Sequence, residues 1–113
     1  MRPSPSRVPD AGDIVWMAFS PQAGREQAGH RPALVLSPSA YNGKTGMIVC
    51  CPMTSQLKGY PFEVVVTVDP PSAVLADQIK SLDWRARSAV RKARAPKAVL
   101  EEVRAKIRAL IGL

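Results

Sequence analysis

The chain has 113 residues, 46% of them hydrophobic and 22% charged, enough for one core and one domain but not two. Lys and Arg number 16 against 9 acids, a net charge of +7 that points either to a polyanionic partner or to nothing more than a solvated basic face. The only cysteines, Cys50 and Cys51, are adjacent and there is a single histidine, which excludes a disulfide framework and zinc-type ligand spacing.

Residues 1–10, with Pro3, Pro5 and Pro9, read as a flexible N-terminal arm, and they lack the apolar run of a secretion signal. No stretch approaches the ~18–20 apolar residues of a membrane span. The expectation is therefore a soluble, cytoplasmic protein, with residues 11–113 as its single domain. Asp13 to Phe19 is a continuous apolar run and predicts a strand buried on both faces. Ser20 to His30, punctuated by Pro21, Gly24 and Gly29, predicts a polar loop longer than a hairpin needs. Ala33 to Ser37 predicts a second strand, and Tyr41 to Gly46 a turn, because Asn42-Gly43 is a strong hairpin dipeptide. Met47 to Cys51 predicts a third strand, stopped by Pro52. Its two thiols read as core residues. A polar loop follows from Thr54 to Pro61. Phe62 to Val68 alternates as a strand, with Phe62, Val64, Val66 and Val68 on one side.

Asp69-Pro70-Pro71-Ser72 turns the chain, and Val74 to Leu82 predicts a short strand or a broken strand pair. From Arg85 to Lys97 lie six cations and no acid, a local positive field suited to phosphates. Beyond it, Val99, Leu100, Val103, Ile107, Leu110 and Ile111 recur at helical spacing. Pro96 suits the first helical position and Gly112 the stop. The sum is a mainly β domain with a C-terminal α-helix, a small curled antiparallel barrel.

No Gly-rich phosphate loop, Gly-x-Ser-x-Gly or His-Glu-x-x-His occurs. Two polar loops are left to carry function. One ends in Glu26-Gln27-Ala28-Gly29-His30-Arg31-Pro32, and the other begins Pro52-Met53-Thr54-Ser55-Gln56-Leu57-Lys58-Gly59. If their strands are neighbours, both loops open at the same end of the barrel.

These segments resemble the MazF/PemK family of toxin ribonucleases. The resemblance rests on Pro21-x-x-Gly24-x-Glu26-Gln27-x-Gly29-x-Arg31-Pro32, then on Pro52-x-Thr54-Ser55-Gln56 with Lys58-Gly59-Tyr60-Pro61-Phe62-Glu63-Val64. A third match runs from Leu75-Ala76-Asp77-Gln78-Ile79-Lys80 to Arg85. Thr67 to Ala73 departs from the pattern in being shorter and richer in proline. The resemblance implies an SH3-like barrel, a homodimer, and sequence-specific, metal-independent cleavage of single-stranded RNA with no cofactor. It also implies a partner antitoxin, MazE-like, whose acidic tail covers the RNA groove. The two main active-site positions fall on Arg31 and Thr54.

Metal-free cleavage of RNA uses the ribose 2′-hydroxyl as nucleophile and leaves a 2′,3′-cyclic phosphate and a 5′-hydroxyl. The site must take a proton, give one, and hold an anionic phosphorus. One histidine rules out a histidine pair. Arg31 offers a fork of donors matched to phosphate oxygens, and Thr54 a hydroxyl. His30 either touches RNA or is structural. Glu26 orients a neighbour or accepts from a base edge. Gln27, Ser55, Gln56, Lys58, Gln78 and Lys80 are candidates for reading bases or binding phosphate, each with surface decoration as the plain alternative. Trp16 and Trp84 read as packing residues before stacking platforms. Two rivals stand beside the nuclease: a non-catalytic nucleic-acid-binding module, and an inhibitor of a protein target such as a DNA topoisomerase, as in the CcdB toxins that share the barrel.

Overall fold

A computed structural model of the chain describes residues 7–19 and 30–113. The elements run β1 (Asp13–Ala18), β2 (His30–Val35), α1 (Ser39–Thr45), β3 (Met47–Thr54), β4 (Glu63–Val68), β5 (Pro71–Leu75), a 3₁₀ turn (Ala76–Gln78), β6 (Lys80–Asp83), β7 (Val90–Arg94) and α2 (Lys97–Ile111). All strand pairs are antiparallel. The spatial order is β4-β5-β3-β2-β1-β7, with β6 also paired to β3. The mainly β architecture with a C-terminal helix is as expected, and the curved sheet forms a half-barrel.

Strand β3 is the spine. Along one edge it pairs with β6 through Cys50 and with β5 from Met53 onward. The sequence placed a stop at Pro52; the strand instead runs through it to Thr54. Val49 turns its carbonyl toward β2, where it accepts the Leu36 N–H at 2.8 Å. Alternation then turns the Pro52 nitrogen to the opposite edge, in the gap between the β6 and β5 pairings, where no ladder needs an N–H.

The same alternation sends the adjacent thiols to opposite sides. Cys51 joins Leu34, Met53, Val64, Val74 and Val103 in the core under α2. Cys50 joins Val15, Met17, Val35, Ile48 and Trp84 in the other. Both cysteines are free and buried. Desolvation pushes each thiol up to about 12. Native protein at pH 8 is therefore expected to resist iodoacetamide and to take up two equivalents on unfolding in urea, read by mass spectrometry. Rapid labelling of the folded chain contradicts this packing.

Tyr41 to Gly46 is not a hairpin turn. It forms α1, opened by Pro38, whose carbonyl accepts the N–H groups of Tyr41 and Asn42 at 3.0 Å each. Gly46, not Gly43, takes the left-handed conformation that ends it (φ +75°). Asn42 is fully buried: it accepts from Ser37 Oγ at 2.6 Å and donates to the carbonyls of Pro9 and Ser37 at 2.9 Å. Its backbone oxygen accepts the Trp84 indole N–H at 2.9 Å. Four fixed partners outweigh a turn propensity. Asp10 accepts the Ser39 N–H at 2.9 Å, which holds its carboxyl below the ordinary range. Val8, within the stretch read as an arm, lies against the Trp84 side of the core.

Strand β4 follows the predicted alternation only at its start. Phe62, Val64 and Val66 face the core, but a register shift between Val65 and Thr67 leaves Val68 exposed. Glu63, placed on the other side, is buried. β7 was hidden inside the basic run. Four of that run's six cations bond within the fold: Arg87 donates to the carbonyls of Ala18 and Phe19 (3.0 and 2.7 Å), Arg85 covers the Trp84 ring, and Arg91 and Arg94 pair with buried Asp13 (3.2 and 2.8 Å). Among the described residues only Arg91 and Arg94 meet an opposite charge, that of Asp13, so most of the run's positive charge is not cancelled. α2 begins after Pro96, which caps rather than enters it, and ends at Gly112. No helix among the described residues is long and apolar enough to cross a membrane.

Candidate functional site

The geometry of the site follows from the pairing of β2 with β3. Ala33 faces Pro52 and Leu34 faces Cys51. Continued by two residues, that register sets Arg31 opposite Thr54 with both side chains on one face. Arg31 is also held from behind, where it pairs with Met17 of β1. It therefore sits within a strand and not at the loop junction expected from Pro32.

Arg31 and Thr54 line one cleft of about 410 Å³, with Trp16, Ser55 and Gln56 among its other walls. That volume is within the ~300–1,000 Å³ range of small-ligand sites. Arg31 Nη2 donates to the Met53 carbonyl at 2.9 Å, which ties the guanidinium to the strand carrying Thr54. Its charge lies 5.7 Å from the centre of the Phe19 ring. Among the described residues the Met53 carbonyl is the guanidinium's one hydrogen-bond partner, which engages one of five N–H donors. The Thr54 hydroxyl oxygen accepts the Gln56 N–H at 3.0 Å. A hydroxyl with an acceptor position filled still has its proton to donate.

A second cleft of about 220 Å³ shares Thr54 and Gln56 with the first and continues past Lys58, Tyr60, Asp77 and Gln78. Lys80 lies over the other reach of Phe19, with its ammonium 5.7 Å from the ring centre. His30 stacks on Trp16 at 6.0 Å between centroids, and the Lys92 ammonium lies 5.0 Å from that indole. The candidates Arg31, Thr54, Ser55, Gln56, Lys58 and Gln78 are thus brought into one continuous groove, with His30 and Lys80 at its margins. Glu26 and Gln27 lie outside the described residues. Among the described residues no three His, Cys, Asp or Glu side chains converge as a metal site.

Sequence reasoning missed several residues of the groove. Trp16 was ranked as a packing residue ahead of a stacking one; in the single chain it is 41% exposed and lines the first cleft, which suits the second role. Tyr60, Asp77 and Lys92 were not singled out. An aromatic side chain inside a polar loop, as Tyr60 is, was the available signal. Lys92 was visible only as one of a run of cations. Trp84 is a core residue, as expected.

The family model described as PemK-like, MazF-like toxin of type II toxin–antitoxin system matches residues 10–111. The chain is 56% identical over 106 residues to the endoribonuclease toxin MazF of Escherichia coli K12, covering 93% of this chain and 96% of that protein. Among solved structures, MazF of Deinococcus radiodurans superposes with a TM-score of 0.84 at 57% identity, covering 95% of this chain and 99% of that one. A MazE–MazF complex from the same organism matches with a TM-score of 0.87 at 57% identity over 95% and 98%. The chain belongs to the PemK/MazF family of type II toxin–antitoxin toxins.

Proposed function

We propose that this protein is a toxin endoribonuclease that cleaves single-stranded RNA at a short sequence, without a metal or cofactor. The observation that carries the proposal is the shared cleft of Arg31 and Thr54, bound together through the Met53 carbonyl. The 2′-oxygen of the scissile nucleotide attacks the adjacent phosphorus and gives up its proton. The bond from phosphorus to the 5′-oxygen breaks, and that oxygen takes a proton. The products are a 2′,3′-cyclic phosphate and a 5′-hydroxyl. Arg31 neutralises the charge growing on the non-bridging oxygens, and the Thr54 hydroxyl donates to one of them. Arg31 also assists proton movement by hydrogen bonding to the 2′- or 5′-oxygen. Gln56, Lys58 and Gln78 contact the flanking nucleotides, with His30 and Lys80 at the edges; Glu26 and Gln27 are proposed for the same role on the resemblance alone.

The name of the E. coli relative and the MazE–MazF complexes of D. radiodurans support a toxin restrained by a MazE-like antitoxin, which we propose to be acidic and to meet the toxin in the cytoplasm. The net charge of +7 suits both RNA and such a partner. An apolar hollow beside α2, lined by Leu36, Ile79, Ile107 and Ile111, supports self-association as a homodimer.

The test is incubation with a long RNA in excess EDTA, followed by end-group analysis. Discrete fragments with cyclic phosphate and 5′-hydroxyl ends are expected. Binding without cleavage makes the protein a binding module, and intact RNA with growth arrest favours a protein target. Replacing the scissile 2′-hydroxyl by hydrogen leaves binding nearly intact and abolishes cleavage. Affinity for that uncleavable RNA should fall by about 0.7 log units per phosphate contact for each tenfold rise in salt. Salt-independent affinity would count against a charged groove.

A further inference from the structure

Ser55 to Phe62 contains neither helix nor strand, yet it presents Gln56, Lys58 and Tyr60 to the second cleft. Backbone outside a ladder keeps its place only if its polar groups are held in some other way. Here side chains do the holding: Thr54 Oγ1 accepts the Gln56 N–H at 3.0 Å, Lys106 Nζ donates to the Pro61 carbonyl at 2.7 Å, and Glu63 holds the stretch between them. Glu63, the first residue of β4, is 9% exposed. Its Oε1 and Oε2 accept the Lys58 N–H at 3.1 and 3.0 Å, and Oε1 also accepts the Gly59 N–H at 2.9 Å. Two consecutive N–H groups converge on one carboxylate because Gly59 adopts φ +76°, a conformation that makes an anion-binding nest.

Among the described residues no Lys or Arg forms an ion pair with Glu63. Among the described residues its partners are backbone N–H groups. The Glu63 N–H closes the loop by donating to the Tyr60 carbonyl at 3.1 Å. A buried carboxylate is a costly way merely to start a strand. What it secures is the position of the loop that walls the cleft next to Thr54.

We propose that Glu63 is a positioning residue of the RNA groove: its carboxylate fixes the Lys58–Tyr60 loop so that the second cleft accepts a particular nucleobase flanking the cut. It acts on affinity and base choice, not on bond breaking. The inference rests on the ribonuclease reading. Tyr60 supplies a stacking face there, and Asp77 and Gln78 supply hydrogen-bonding groups for a base edge.

The experiment compares the full-length protein with Glu63→Gln and Gly59→Ala. KM and kcat are measured on a short RNA carrying a mapped cleavage site, and cut ends are sequenced on a long RNA. Glu63→Gln replaces one acceptor oxygen by a donor facing the Lys58 N–H. Gly59→Ala leaves the carboxylate intact. No neighbouring atom lies within 4 Å of the added Cβ, so its effect comes from the left-handed backbone alone. Both variants are expected to raise KM about tenfold, with a much smaller change in kcat, because charge-assisted hydrogen bonds that place the cleft wall are weakened. Both should also relax the base preference at one flanking position. A lowered active fraction, the signature of a purely structural role, reduces kcat and moves neither KM nor the cut-end profile.

An unchanged KM or an unchanged profile overturns the proposal, and Gly59→Ala alone decides if Glu63→Gln does not fold. If the wild-type protein cuts no RNA, the ribonuclease reading fails before any variant is compared.

Discussion

Arg31→Ala is expected to lower kcat/KM for RNA cleavage by about 10³ or more while leaving the fold in place. Loss of a single preorganised donor to a developing oxyanion costs about 10²–10³ in rate. An arginine that neutralises phosphoryl charge is worth about 10³–10⁵. Arg31 is placed to act in both ways, because it lines the cleft with Thr54 and, among the described residues, only its Nη2 is engaged, with the Met53 carbonyl. The structural loss is small by comparison. The side chain is half-buried and makes one recorded backbone bond, so stability should change by about 1 kcal/mol, visible as a slight shift in Tm. Arg31→Lys keeps the charge and loses the planar fork, and it should recover no more than about a tenth of the activity. Single-turnover cleavage of a short RNA, with circular dichroism on the same samples, separates chemistry from unfolding. Wild-type turnover in Arg31→Ala would remove the guanidinium from the reaction.

That placement was half legible in the sequence. The identities of Arg31 and Thr54 came from the resemblance, whereas their convergence needed a strand register that no local pattern encodes. β2 was expected to start at Ala33, but it starts at His30, because β1 supplies partners for His30, Arg31 and Pro32. β3 was expected to end at Pro52, and the two residues beyond it carry the site. Both misjudgements share a cause: proline was taken as a local stop, while sheet pairing at each position made its missing N–H harmless.

The long periodic pattern of α2 was readable because a helix buries one face at a fixed spacing. α1 was not, since its seven residues carry no apolar stripe and are held by Asn42 contacts to nearby Ser37 and to Pro9 and Trp84, distant along the chain. β7 escaped for the opposite reason. Its five residues are all exposed, and its arginines bond to Asp13, 78 and 81 residues away in the chain. Glu63 looked like the polar side of an alternating strand. Only the fold shows the two N–H groups that it satisfies.

Thr54→Val is expected to reduce kcat by about 10²–10³, and Thr54→Ser to keep most of the activity. The swap to valine preserves shape and removes the hydroxyl. Its one recorded partner, the Gln56 N–H, belongs to an exposed residue and can turn to water, so the stability cost should stay near 1 kcal/mol. The double variant Arg31→Ala/Thr54→Val is the sharper measurement. If guanidinium and hydroxyl hold oxygens of the same phosphorus, removing the second after the first should cost little more, as for residues that act as a unit. Losses that multiply in full would mean that the two groups serve separate steps. They would then be neighbours through the β2–β3 register without sharing a transition state.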